Sequence, residues 1–155
     1  TYLSAILVSG GSASPSPEYA EGRWTPTLGG DASDPTCTYV ISDGYYVKNG
    51  SSVYVTGAIK CSALSGGSGQ VIVKGLPFNV KDLFADTAVE ASGSVGYFAG
   101  LSNFKTNLGI WAYNDSTNLL MTSYESSHGQ APNLDVSDIS NDFQVRFSIT
   151  YITDE

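Results

Sequence analysis

Histidine, cysteine and basic residues are scarce in this sequence of 155 residues, and each shortage excludes a class of function. A single histidine cannot build a multi-histidine metal site. Seven lysines and arginines against 15 aspartates and glutamates give a net charge of -8. That balance excludes nucleic-acid binding through phosphates and disfavours anionic membranes. No apolar run approaches the length needed to cross a bilayer, so we expect no membrane insertion.

The two cysteines, Cys37 and Cys61, are too few for the disulfide framework of a small secreted domain. They are either packed free thiols or a single bridge, which would stabilise the fold by about 3 kcal/mol in the loop-entropy model. Free cysteine is often packed as a small apolar side chain. We therefore expect two thiols rather than a bridge.

Motifs for nucleophilic catalysis and for phosphate binding are missing. Gly66–Gly69 lacks the spacing of a nucleophile elbow, and no glycine-rich phosphate loop follows a strand. The single histidine, His128, lies in a segment with the composition of a solvent-exposed loop. We expect no enzyme activity and no cofactor.

Acidic residues offer two further chemistries, glycoside hydrolysis and cation binding. Two carboxylates across a cleft can hydrolyse glycosides. A calcium site needs several loop oxygens, but turn residues more often bond to their own backbone. We expect solvated loops and no metal at these positions: Asp31 with Asp34, Asp82 with Asp86, Asn114–Asn118 and Asp135–Asp138.

Composition divides the chain into two regions. Residues 1–21 are predicted to form an extended N-terminal arm, with the short apolar run Leu3–Val8 followed by the Gly-, Ser- and Pro-rich linker Ser9–Pro17. Residues 22–155 are predicted to form one β domain. A chain of this length can bury a sizeable core.

Apolar and polar residues alternate along much of this domain, which predicts β-strands. The pair Asn49-Gly50 indicates a hairpin. In 143–151 the odd-numbered residues are apolar and should face inward, whereas Gln144, Arg146, Ser148 and Thr150 should face outward. Only Val80–Ala85 and Val136–Ile139 could contain a helical turn. Strands about every ten residues predict an all-β antiparallel sandwich of about eight to ten strands.

Ten tyrosines and two tryptophans in a chain with 14% charged residues suggest a surface that binds by aromatic contact. Flat rings with polar tips suit the apolar faces and hydroxyl rims of sugars. Outward aromatics can equally pack against another subunit. In each of the pairs Tyr45/Tyr46 and Trp111/Tyr113, we expect one member to face the core and the other to face out. The candidate ligand residues are Tyr45, Tyr46, Trp111, Tyr113, Asn114 and Asp115.

Several segments in order resemble a jelly-roll domain that recurs in bacteriophage virion proteins, especially at the tips of tail fibres, tailspikes and appendages. The resemblance covers 22–151, nearly the whole domain. The segments that carry it are Trp24-Thr-Pro26, Tyr39, Gly44–Gly50 with Val53, Ser68–Phe78 and Phe147–Tyr151.

Some residues of these segments have structural roles that follow from their chemistry. Pro26 suits a strand start or edge because it lacks a backbone donor. Trp24 is large enough to close one end of a sandwich. The run Gly75-Leu76-Pro77-Phe78 should end a buried strand with a turn and return Leu76 and Phe78 to the core.

The resemblance implies a tumour-necrosis-factor-like homotrimer on the virion surface. Its expected function is attachment of a tail fibre or appendage to a host glycan. The alternative is a capsid decoration protein that contacts other virion proteins through residues 1–20. A carbohydrate-active enzyme or a secreted carbohydrate-binding module ranks below both.

Overall fold

A computed structural model of the chain describes residues 18–85, 88–124 and 132–155. The predicted arm and linker over 1–17 lie outside these residues. The described part consists of nine antiparallel strands and one short 3-10 turn, Val136–Asp138. The strands are β1 (Tyr19–Trp24), β2 (Thr27–Gly30), β3 (Thr36–Asn49), β4 (Ser52–Ser65), β5 (Val71–Lys74), β6 (Val89–Leu101), β7 (Asn107–Tyr113), β8 (Asn118–Tyr124) and β9 (Ile139–Ile152).

No helix within these ranges is long and apolar enough to cross a lipid bilayer. The segment Val80–Ala85, which could have contained a helical turn, is irregular. Its backbone instead bonds to the turn after β7, where Val80 N donates to Ser116 O at 2.9 Å.

All nine strands belong to one sheet, in the order β1-β3-β4-β9-β6-β7-β8-β5-β2. The two outermost strands, β1 and β2, are separated in sequence by only Thr25 and Pro26. Three Cα–Cα steps span at most about 11 Å. The sheet must therefore curl until its two edges meet, which encloses one hydrophobic core.

Strand β6 makes the second corner of this curled sheet. Its first half, from Val89 to Ser94, pairs with β7, and its second half, from Ser94 to Leu101, pairs with β9. The front layer therefore contains β1, β3, β4, β9 and the second half of β6. The back layer contains the first half of β6 with β7, β8, β5 and β2.

This architecture confirms the predicted all-β antiparallel class and strand number. Three neighbouring pairs are also consecutive in sequence, namely β3–β4, β6–β7 and β7–β8. The order does not by itself establish the two Greek keys of a jelly roll. The predicted hairpin is present between β3 and β4, where Gly50 takes a positive φ of 59° in the turn.

The alternation along β9 is as predicted. Its inward residues are at most 3% exposed, and they form the centre of the core. Full burial of such side chains contributes roughly 1.5–3 kcal/mol each. These residues are Phe143, Val145, Phe147, Ile149 and Tyr151.

The corner between β1 and β2 is packed by Trp24, which is 6% exposed. Its indole Nε1 donates to Thr56 O at 3.1 Å, and its ring meets Phe147 edge-on with centroids 6.2 Å apart. A Cβ atom on Gly44 would overlap the indole, and one on Gly57 would overlap the Phe147 ring. The two glycines therefore make room for the two rings.

Side chains close the seam where β2 approaches β3. The Tyr39 hydroxyl accepts a hydrogen bond from Leu28 N at 2.7 Å. Ser42 Oγ donates to Pro26 O at 2.6 Å. These bonds satisfy backbone groups that an edge strand would otherwise leave unpaired.

The turn after β5 begins at Gly75, whose φ of 94° favours glycine. Leu76 is 4% exposed in the core, and the Phe78 ring meets Tyr46 edge-on with centroids 5.4 Å apart. The buried Tyr151 hydroxyl donates to Phe78 O at 3.1 Å. The turn is thus fastened to the front layer.

Cys37 and Cys61 form a disulfide, so the expectation of free thiols was wrong. The cysteines lie on β3 and β4, whose antiparallel pairing places their Cα atoms 5.8 Å apart. That separation lies within the range that a disulfide can bridge. The sequence argument weighed the number of cysteines and not their positions across the hairpin.

Candidate functional site

The six predicted ligand residues divide between the two layers, so one site cannot hold them all. Strand β3 of the front layer carries two of them, and β7 of the back layer with its following turn carries four. These are Tyr45 and Tyr46, then Trp111, Tyr113, Asn114 and Asp115.

The two aromatic pairs differ in how they face the core. Tyr45 is 39% exposed and Tyr46 packs inward on Phe78, as predicted. The expectation for Trp111 and Tyr113 was wrong. These residues are two apart on one strand, so both face outward while Ala112 between them is fully buried.

Tyr45 lies in a groove of about 380 Å³ on the outer surface of the front layer. Four strands supply its lining. Arg23 on β1 is the Cα partner of Tyr45 on β3, and Tyr45 is the partner of Thr56 on β4. Arg146 on β9 is the partner of Ala58 on β4. We call this site the arginine groove; its lining is Arg23, Ile41, Asp43, Gly44, Tyr45, Thr56, Gly57, Ala58 and Arg146.

Both arginines of the chain line this groove, although they lie near opposite ends of the sequence. Arg23 Nη1 donates to Asp43 Oδ2 in an exposed ion pair. Arg146 forms no ion pair with any described residue. Asp43 and Arg146 are both Cα partners of Ala58 on β4. Their backbones are therefore two strand spacings apart, about 10 Å. Among the residues that line the groove, two arginines therefore face one aspartate, and Arg146 is the one without an acidic partner.

The aromatic surface of the groove comes from Tyr45. Loss of solvation raises the pKa of the Tyr45 phenol, and the nearby Glu21 carboxylate raises it further. The phenol therefore stays protonated at neutral pH. Tyr97, 48% exposed on β6, is the Cα partner of Arg146 and adds a second ring beside the groove.

Sequence reasoning missed Arg23, Asp43 and Arg146 as site residues. The available signal was the predicted outward position of Arg146 in a chain with only two arginines. An aromatic face, a guanidinium and a carboxylate in one open groove can contact the C–H face of a ring and bond to its hydroxyl groups.

The outer face of the back layer is apolar and only partly exposed: Trp111 and Leu120 are half-buried, and Ile72 is 7% exposed. Leu120 on β8 is the Cα partner of both Trp111 on β7 and Ile72 on β5, so three apolar side chains lie side by side across three strands. Tyr113, 41% exposed, follows on the same face. We call these four residues the back patch. Ile72, Tyr113 and Leu120 of the patch line a cleft of about 230 Å³ together with Asp31 and Asn118.

Asn114 and Asp115 belong to the turn between β7 and β8. Asn114 N donates to Ala88 O at 3.1 Å and Asp115 N donates to Val80 O at 2.9 Å. Asp115 has a φ of 48°, which Asn and Asp tolerate better than most residues. Both backbones hold the irregular segments beside the turn in place.

Across residues 18–85, 88–124 and 132–155, no three His, Cys, Asp or Glu side chains are grouped to hold a metal ion. Asp138 of the acidic segment Asp135–Asp138 bonds within the protein. Its Oδ1 accepts from Asn103 Nδ2 at 2.7 Å and its Oδ2 accepts from Asp135 N at 3.1 Å.

Two of the carboxylates considered for glycoside hydrolysis also bond within the protein. Asp31 Oδ1 accepts from Gln70 N at 2.7 Å. Lys74 lies 2.7 Å from Asp34 and lowers the pKa of that carboxyl. A general acid needs the opposite shift. Asp82 is exposed, while Asp86 and His128 lie outside the described residues.

Comparison with known proteins identifies a related fold. No family model and no curated protein matches the sequence. Among solved structures, the chain is similar to the Dettilon tailspike protein gp208, with a TM-score of 0.64 and 12% sequence identity. The match covers 86% of this chain and 24% of the tailspike, so the chain spans about a quarter of its length. The chain therefore has a fold shared with a phage tail protein.

Replacing Lys74 with Met should raise the pKa of Asp34 toward its ordinary value of 3.8. Because folding lowers this pKa, the pair stabilises the fold above the unfolded-state pKa. Its contribution is lost as the pH falls through the folded-state pKa. Carboxyl-detected NMR titration measures the shift, with Lys81→Met as a control that should leave Asp34 unchanged. An identical Asp34 titration in the Lys74 variant and the original protein would contradict the assignment.

Proposed function

We propose that this protein is a bacteriophage tail surface protein that attaches to a glycan of the host cell through the arginine groove. The observation that carries the proposal is the meeting of Arg23, Asp43, Tyr45 and Arg146 in one open groove. Its volume lies within the range of about 300–1,000 Å³ that is common for ligand sites. The fold shared with a tailspike supports a place on the phage tail, exposed at the virion surface.

The two aromatic surfaces suit different partners. The arginine groove mixes a ring with charged hydrogen-bonding groups, which suits a sugar. The back patch is an apolar row across Trp111, Leu120 and Ile72, which suits another protein surface. We assign the back patch to self-association into a homotrimer.

A trimer would serve attachment directly. Three copies present three grooves to a repetitive surface glycan, and linked weak sites gain affinity over a single site.

The assignment of the described sheet to the jelly-roll class stays a prediction.

Capsid decoration is the alternative assignment within the virion. It rests on residues 1–20 contacting other virion proteins, and most of these residues lie outside the described part of the chain. The likeness to a tailspike favours the tail. The proposal includes no catalytic role.

Replacing Leu120 with Glu should convert the trimer to a monomer, because a charge in the middle of the back patch cannot be buried without a partner. Light scattering should give three times the chain mass for the original protein and one chain mass for this variant. Thr150→Glu is the matched control, since it places the same charge on the outer surface of the front layer and should leave the trimer intact. A monomeric original protein would contradict the assignment.

Replacing Tyr45 with Ala should weaken glycan binding at least about fivefold, since an aromatic contact contributes roughly 1 kcal/mol or more. Binding can be measured on arrays of bacterial O-chains and capsular polysaccharides. Tyr124→Ala is the control, because Tyr124 is 44% exposed on β8 of the back layer and remote from the groove. Absence of any bound glycan, or equal signals from the two variants, would refute the proposal.

A further inference from the structure

The charge of the arginine groove stands out against the rest of the chain. Asp and Glu outnumber Lys and Arg by eight over the whole sequence. Within the groove lining the balance is reversed, because two arginines face one aspartate. A guanidinium without an acidic partner in this lining suits an anionic ligand.

Arg146 is the source of this excess. The Arg23–Asp43 ion pair neutralises the first arginine. Arg146 is exposed and forms no ion pair with the described residues. Its guanidinium is always charged and presents a planar fork of donors that matches a carboxylate.

The surroundings of Arg146 leave space for a ligand group. Ala58 lies beside it on β4, and Ser148 and Gln144 flank it on the same face of β9. None of these side chains carries a charge. Tyr97 on the other side offers a ring rather than an acid. An anion approaching Arg146 therefore meets small or neutral neighbours on β4 and β9, and the Asp43 backbone lies two strands away, about 10 Å.

We infer that the glycan bound in the arginine groove carries a carboxylate, as a uronic or sialic acid does, and that Arg146 pairs with it. The inference rests on the proposed function of the groove. In this arrangement Tyr45 contacts the C–H face of a sugar ring, while Arg146 pairs with the carboxylate of an acidic sugar in the same glycan.

The test uses the full chain and a panel of oligosaccharides made from galacturonic, glucuronic, mannuronic and sialic acids. Each oligomer is paired with its carboxyl-reduced form, which keeps the ring and removes the charge. Titration calorimetry should show at least one acidic oligomer binding, with its reduced form about tenfold weaker or more.

Arg146→Gln should reduce binding of that acidic oligomer about tenfold or more and should reduce binding of the reduced form by a clearly smaller factor. Arg146→Lys should recover part of the lost affinity, because lysine restores the positive charge but not the planar arrangement of guanidinium donors. Lys81→Gln is the matched control: it changes the net charge by the same amount, but Lys81 pairs with Asp154 outside the groove.

Three results would overturn the inference: no acidic oligomer binds, the reduced forms bind as tightly as the acidic ones, or Arg146→Gln has no effect. Tighter binding of poly(glycerol phosphate) than of every acidic oligomer would also overturn it, in favour of a phosphate ligand. If the reduced forms bind as tightly as the acidic ones, and that binding is lost in Tyr45→Ala but kept in Arg146→Gln, the proposed function stands and only the carboxylate is removed. If the original protein binds no glycan at all, both the proposed function and the carboxylate inference are wrong.

Discussion

The contact between the Trp24 indole and the backbone at Gly44 is the constraint on which the rest of the structure depends. Trp24 is the last residue of β1, and the chain must turn there to carry β2 to the opposite edge of the sheet. The indole can lie against β3 and reach Thr56 O only because Gly44 has no side chain. Phe147 uses Gly57 on the next strand in the same way.

The backbone at the same two glycines also reaches the outer surface. Gly44 and Gly57 line the arginine groove on the side opposite the two rings. The position of Arg23, one residue before Trp24, follows from the corner and places its side chain on the outer surface beside Tyr45. Neighbouring residues of β1 therefore serve both sides of the front layer, with Trp24 in the core and Arg23 in the groove.

The outer surfaces of the two layers differ in chemistry because different side chains lie next to one another across their strands. In the front layer, Tyr45 is followed across the strands by Thr56 and Ser148, which leaves a polar floor between charged side chains. In the back layer, Trp111 is followed by Leu120 and Ile72. This difference separates a surface suited to a hydrated glycan from one suited to a second protein chain.

Local patterns predicted much of the fold. The alternation in β9 and the Asn49-Gly50 hairpin depend on neighbouring residues, and both were predicted correctly. The pairing of β4 with β9 and the closure at Trp24 join distant segments, so no local pattern reveals them. The meeting of Arg23 with Arg146 depends on that pairing, which explains why sequence analysis missed it. The Cys37–Cys61 bridge lies within the predicted β3–β4 hairpin and was missed because only the number of cysteines was considered.

The central claim is that Trp24 closes the sheet because Gly44 makes room for its indole. The most direct test compares the free energies of unfolding of Gly44→Ala and Gly96→Ala in urea. Gly44→Ala should lose about 1–3 kcal/mol, as expected for overpacking a rigid site. Gly96→Ala should lose little, because a Cβ there would meet nothing within 4 Å. Equal stability of the two variants would contradict the account.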